Sequence, residues 1–244
     1  MSRRSYTFPM TDFSGGRDVD TNFPSRRVDA PTIGDAWLRI GQVIMDAGTE
    51  STYDGRTIRE VLLATLVVDR PRSDDEVVTR YANAQRLAWM HENFTRHDRV
   101  VELGDADSYA TRLRDYDHSG RDQVQWVINR LKTDPLSRSA TITTIQPLSD
   151  TSYIPCVSLL DFFLVDDALH LACYAHSIDF GAKGYGNLVE LASLQEEVAR
   201  EVHDPVGTLT LFVKSAHVYE SDFAYMAAVL AAQHEPGRVP HHTP

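Results

Sequence analysis

The residue best suited to chemistry in this chain is Cys156, in the run Tyr153-Ile154-Pro155-Cys156-Val157. It sits between an irregular stretch and a strand-like one. A cysteine at a strand start, after a proline, projects from a loop into a cleft. Its thiolate is the reactive form, and it needs neighbouring cations to lower its pKa. Taken alone, Cys156 reads as a small buried hydrophobe, because most free cysteines are structural. Other polar residues are spaced around it. Asp134-Pro135-Leu136-Ser137-Arg138 lies upstream, and His176-Ser177-Ile178-Asp179 lies downstream. Asn187 and then His217-Val218-Tyr219 follow. Each has an ordinary reading by itself. Arg138 is a surface charge, Glu76 a helix N-cap partner, His217 a satisfied core histidine and Asn187 a helix cap.

In this order and at these spacings, the set resembles thymidylate synthase and its pyrimidine hydroxymethylase relatives. That family shows DPxSRR, a Pro-Cys nucleophile, RSxD, an Asn eight residues on, and HxY. The same frame here reads DPLSRS, IPC, HSID, Asn187 and HVY. The register needs little or no gapping from Asp134 to Tyr219. Upstream the likeness is weaker. Asp46-Ala47-Gly48-Thr49 resembles the end of the family's first helix, and Arg56 lies near its phosphate-loop arginine. Leu87 to Asn93 resembles a segment ending HEN. Counting back from it puts Glu76 on the catalytic glutamate, and Tyr109 falls on the tyrosine ahead of the long helix. The resemblance covers roughly residues 33–232.

The resemblance implies a thymidylate synthase-like fold of α/β (α+β) class: a mixed β-sheet with flanking helices, dimeric through the sheets. It implies that Cys156 adds to C6 of a pyrimidine nucleoside monophosphate. C5 then attacks the one-carbon unit of 5,10-methylenetetrahydrofolate, a co-substrate; no metal is implied. Arg138 and His176 are the cations expected beside the thiol. Glu76 would organise proton transfers through water, and Tyr109 belongs to the same catalytic set. Asp179 would hold base and folate, and Asn187 would read the base edge. His217 and Tyr219 would bond the sugar hydroxyls. Arg56, Arg138, His176 and Ser177 would hold the phosphate. Gly181 to Gly186 fits neither GxGxxG nor a P-loop. It reads as the folate-side turn, with Ala182, Lys183 and Gly186 near the folate.

Departures from the family pattern point to hydroxymethylation. The register puts Asp98 where synthases carry a shielding tryptophan, and a polar residue there admits water. The chain ends soon after Tyr219, where synthases continue into a tail that closes over the folate and excludes water. Ser139 and His176 replace two phosphate arginines, and Val157 replaces the histidine after the nucleophile. Ala175 replaces a glutamine and leaves room for a ribose 2′-hydroxyl. The expected reaction is therefore 5-hydroxymethylation of a cytidine monophosphate, CMP or dCMP, as in nucleoside-antibiotic pathways. Asn187 cuts the other way, being the uracil-reading residue of synthases, although an amide can present either edge. The alternatives are reductive methylation of dUMP and a catalytically idle nucleotide-binding protein of the same fold.

The elements that must position these residues follow from pattern. The 244 residues are 42% hydrophobic, enough for one globular domain with a sizeable core. The net charge of -11 argues against gripping nucleic acid through the overall field. No membrane span or secretory signal stands out. Two isolated cysteines without CxxC suit a reducing cytoplasm. Residues 1–31 read as an irregular arm, 32–234 as the catalytic domain and 235–244 as a flexible tail. Thr32 with Asp35 starts a helix that Gly48 closes. Residues 59–69 read as a buried strand. Ser73 with Glu76 opens a helix to about Asn93, and another surrounds Val124 to Leu131. Strands are expected at 138–146, 157–165, 168–175 and 208–214, with a hairpin at Asp166-Asp167. Helices are expected at 187–203 and 221–233.

Overall fold

The computed structural model describes residues 26–97, 100, 103–150 and 153–233. Asp98, most of the N-terminal arm and the C-terminal tail lie outside the described residues. The arm's last residues are a strand, not irregular chain: β1, Arg26–Ala30, pairs parallel with β3 from Arg26↔Ala64 to Ala30↔Val68. Five residues between Pro24 and Pro31 are too few for alternation to stand out in sequence.

Helix α1, Ile33–Ala47, begins as expected. The Thr32 hydroxyl accepts the Asp35 N–H at 3.2 Å, and the Gly48 N–H returns to the Ile44 carbonyl. Such a cap stabilises a helix by about 1 kcal/mol. The stripe Ile33, Trp37, Ile40 and Ile44 is fully buried. Strands β2, Thr49–Tyr53, and β3, Arg56–Val68, form a hairpin over Asp54-Gly55. Both turn residues have positive φ, 50° and 70°, the primed geometry that matches strand twist.

The single helix expected from Ser73 to Asn93 is two: α2, Glu76–Tyr81, and α3, Ala84–Thr95. Ser73 does not cap it. Its amide and hydroxyl both donate to Glu196 on a distant helix. Asp75 is the cap, accepting from Val77 and Val78 N–H and also from Gly34. Asn83 restarts the chain by accepting from Gln85 and Arg86 N–H. Each of the two helices thus opens on its own short-range acceptor.

Helices α4, Tyr109–Arg114, and α5, Gln123–Thr133, precede β4, Ala140–Thr143, which is shorter than the 138–146 expected. Then come β5, Val157–Val165, β6, Ala168–Ala175, and the short β7, Ile178–Asp179. Asp166-Asp167 makes the expected hairpin, with φ of 51° and 56°. Helix α6, Gly184–Val202, starts three residues earlier than expected, so Asn187 lies inside its first turns and is no cap. Strand β8, Val206–Tyr219, runs on past residue 214 and carries His217 and Tyr219. Helix α7, Phe223–Ala232, follows a single 3₁₀ turn.

The mixed sheet has the order β1-β3-β8-β6-β5-β4, with β2 on β3 and β7 on β8. This is the α/β architecture expected. Register fixes its two faces. Leu66, Leu211, Cys173 and Leu160 stand side by side on β3, β8, β6 and β5, all buried in the core. One residue along, Thr65, Phe212, Tyr174 and Leu159 form the other row. Leu159 is 40% exposed and Tyr174 36%. Below the core, Arg112 and Asp150 form a buried bidentate pair that ties α4 to the loop after β4. Among the described residues, no helix is long and apolar enough to cross a membrane.

Candidate active site

Cys156 is the residue before β5, half-buried. Two backbone hydrogen bonds fix it. Its carbonyl accepts the His176 N–H at 3.1 Å, and the next N–H, of Val157, donates to the Tyr109 hydroxyl at 2.8 Å. The thiol opens on a cavity of about 710 Å³. The end of β8 supplies His217 and Tyr219 to its wall. The β6–β7 corner gives His176 and Ser177, β7 gives Asp179, and the loop before α6 gives Ala182 and Lys183. The β2–β3 hairpin adds Tyr53, Asp54 and Arg56. Residues more than 160 apart in sequence meet here because β8 returns between β3 and β6.

The wall has internal order. Arg56 lays its guanidinium carbon 3.9 Å over the Tyr219 ring, a cation–π contact. His217 stands edge-on to Tyr219, with Ser177 Oγ 3.4 Å from its Nδ1. Asp179 accepts the N–H groups of Gly181 and Ala182 on one oxygen. Lys183 Nζ sits 5.1 Å from the Trp89 ring and donates to the Tyr153 hydroxyl at 3.4 Å.

Burial dominates the electrostatics. It holds His217 down at about 4, so the imidazole is neutral at pH 7. It lifts Asp179 to about 6, helped by the nearby carboxylate of Asp222 and opposed by the two N–H groups and Lys183. Burial also lowers His176, and Lys214 adds to that. The Cys156 thiol is pushed up by burial and by Asp179, while Lys183 pulls it down. Arg138 and His176 are the cations expected beside the thiol. His176 favours its neutral form, and Arg138 is exposed and does not line the cavity. Lys183 is a cation on the wall of the cavity that the thiol also lines.

Several expected site residues stand back from the cavity wall. Glu76 is exposed on the first turn of α2, because Asp75 takes the cap and turns Glu76 outward. Tyr109 is buried beneath Cys156, stacked on Phe94. Ala175 is fully buried between Val157 and Val213. Gly186 packs on Met90, where an added Cβ would come within 2.9 Å of the Met90 Cβ. Asn187 is buried; its Nδ2 donates to the Lys183 carbonyl and its Oδ1 has no partner.

Other residues came to the site unannounced. Arg86 on α3 donates to Asp222 at 2.7 Å, and both line the cavity. Tyr153 and Ser221 line it as well. Trp89 places an indole beside Lys183, although the register puts Asp98 at the shielding position. Trp89 lies within the Leu87 to Asn93 segment and Tyr153 within the Cys156 run, but neither was assigned a role. Their only signal was proximity in sequence to Asn93, Cys156 or Tyr219.

The comparisons agree with this geometry. Residues 72–241 match the family model for thymidylate synthase. A protein named "Putative thymidylate synthase" from Methanococcoides burtonii is 33% identical over 206 residues, which cover 81% of this chain and 91% of that protein. A namesake from Methanosarcina barkeri gives the same figures. Another, from Methanothermobacter thermautotrophicus, is 32% identical over 211 residues, 80% of this chain and 94% of that one. The chain belongs to the thymidylate synthase family and is a one-carbon transferase. The family binds a nucleotide and uses methylenetetrahydrofolate.

Proposed function

We propose that this enzyme 5-hydroxymethylates a cytidine monophosphate, CMP or dCMP, at the expense of 5,10-methylenetetrahydrofolate. Cys156 Sγ bonds to C6 of the base, which makes C5 nucleophilic toward the one-carbon unit. C5 gains that carbon and loses its proton, water adds to the new exocyclic carbon, and the Sγ–C6 bond breaks to return the thiolate. Nucleotide, one-carbon unit and water thus become the 5-hydroxymethyl nucleotide, and tetrahydrofolate leaves.

The observation that supports the cytosine assignment is the orphaned Oδ1 of Asn187, which does not itself line the cavity but is bonded to Lys183, which does. A buried acceptor without a partner costs about 1–3 kcal/mol, which a donor on the substrate recovers. Cytosine offers its 4-amino group. Uracil offers a carbonyl at the same position, to an amide that already has one N–H committed to Lys183. Asp179, near 6, exchanges a proton close to neutral pH. His217 and Tyr219 face the sugar, and Arg56, His176 and Ser177 face the phosphate. A homodimer is part of this reading. The exposed apolar row through Tyr174 and Leu159 supports pairing through the sheet, with exposed Arg138 reaching the partner's cavity. A reducing cytoplasm keeps Cys156 a free thiol.

The test is mass spectrometry of CMP, dCMP and dUMP, each incubated with enzyme and methylenetetrahydrofolate. A gain of about 30 Da on a cytidine nucleotide supports the proposal. A gain of about 14 Da on dUMP, with dihydrofolate formed, supports reductive methylation instead. That second reading is favoured by the relatives' printed name and by Trp89 beside the cavity.

A further inference from the structure

Lys183 occupies an unusual place. It is the N-cap residue of α6 yet makes no side-chain capping bond. Its side chain turns into the cavity that Cys156 also lines. There the ammonium lies between two aromatic rings, 5.1 Å from Trp89 and 5.4 Å from Tyr153, and donates to the Tyr153 hydroxyl. A lysine has four rotatable bonds and roams unless it is held. Two ring faces and one hydrogen bond hold this one. Its main chain is fixed as well, since its carbonyl accepts both the N–H and the Nδ2 of Asn187.

The other charged groups on this wall are accounted for. Arg86 is tied to Asp222 and to the Gly181 carbonyl. Arg56 is stacked on Tyr219 at the hairpin. Asp179 is a carboxylate and opposes thiolate formation. His176 favours its neutral form. We infer that Lys183, caged by Trp89 and Tyr153, is a positioning residue for the reaction, keeping a fixed positive charge on the wall that Cys156 shares so that the half-buried thiol can ionise. The inference deepens the proposed function, because the thiolate is the form that adds to the base. It also moves Lys183 from the folate side of the site to the nucleophile.

The experiment is the pH dependence of Cys156 alkylation by iodoacetamide in the full chain without nucleotide, followed on the Cys156 peptide by mass spectrometry. Cys173, buried in the sheet, serves as the unreactive control. Lys183→Met should move the alkylation midpoint upward and slow labelling at pH 8 by about tenfold, and Lys183→Arg should recover most of the rate. Phe in place of Tyr153 should give a smaller shift in the same direction. Equal profiles for wild type and Lys183→Met overturn the inference, even if turnover falls, since Lys183 then serves the substrate. Should Lys183→Met fail to fold, by circular dichroism, Lys183→Gln makes the same comparison. The readout needs no substrate. A shifted profile in a protein that modifies none of the three nucleotides keeps the Lys183 assignment and sinks the proposed function; the reverse pair of results does the opposite.

Discussion

The Tyr109 hydroxyl accepts the backbone N–H of Val157 at 2.8 Å, one residue past Cys156. The tyrosine is 4% exposed and does not line the cavity. Its burial pushes the phenol well above its ordinary range, so it stays protonated. Its contribution to the site is therefore the placement of the strand start that carries Cys156. Tyr109→Phe keeps the ring stacked on Phe94 but leaves the Val157 N–H without a partner. The expected cost is about 1–3 kcal/mol, read as a lower midpoint in urea unfolding. Turnover should fall while nucleotide affinity changes little. An unchanged midpoint would show that water or a shifted strand replaces the hydroxyl.

The site was partly legible because its polar residues sit in short runs around fixed strands. Cys156, Ser177, Asp179, His217 and Tyr219 were each named from sequence, and the structure gathers them on one wall. The failures have physical causes. Glu76 was placed by counting, but Asp75 outcompetes Ser73 for the cap and rotates the helix start. Arg86 and Asp222 are 136 residues apart, and no local pattern links them. The thiol's cation was sought at Arg138 and His176, and the glycine-rich turn brings Lys183 to the cavity wall as well. The sheet was read from β-rich runs, but β1 was hidden between prolines and β8 extends past the run that announced it.

Cys156→Ser separates catalysis from binding. A serine hydroxyl is a far weaker nucleophile than a thiolate. Turnover should drop by about a thousandfold or more. Nucleotide affinity, measured by calorimetry, should stay within about threefold, because the substitution changes one atom of the cavity wall. Retained turnover in the variant would remove Cys156 from the chemistry altogether and favour a non-covalent reaction.

Arg56 is exposed, and its guanidinium lies on the Tyr219 ring with its donors free to face the cavity. A charge-assisted bond to a phosphate is worth about 1.5–3 kcal/mol. Arg56→Ala should therefore raise KM for the nucleotide about tenfold or more with a smaller change in kcat. Added salt should raise KM in the wild type more than in the variant, since the lost interaction is the screened one. Equal KM values would assign the phosphate to His176 and Ser177 alone.

His217 and Asp179 pull stability in opposite directions over one pH window. His217 falls from an unfolded value near 6.5 to about 4. Its contribution is present above the unfolded value and is lost as pH falls toward 4, because the unfolded chain takes up the proton first. Asp179 rises from 3.8 to about 6. Its contribution is full below 3.8 and is lost as pH climbs through 6, because the unfolded chain ionises first. Between pH 4 and 6 the two largely offset each other, and single variants expose them. Relative to wild type, Asp179→Asn should gain stability as pH rises across this window, since it no longer suffers the buried charge. His217→Gln should lose relative stability over the same range, since it no longer gains from staying neutral. Urea unfolding of the three proteins at half-unit steps measures both differences. Two difference curves of the same sign would mean that burial does not set these pKa values.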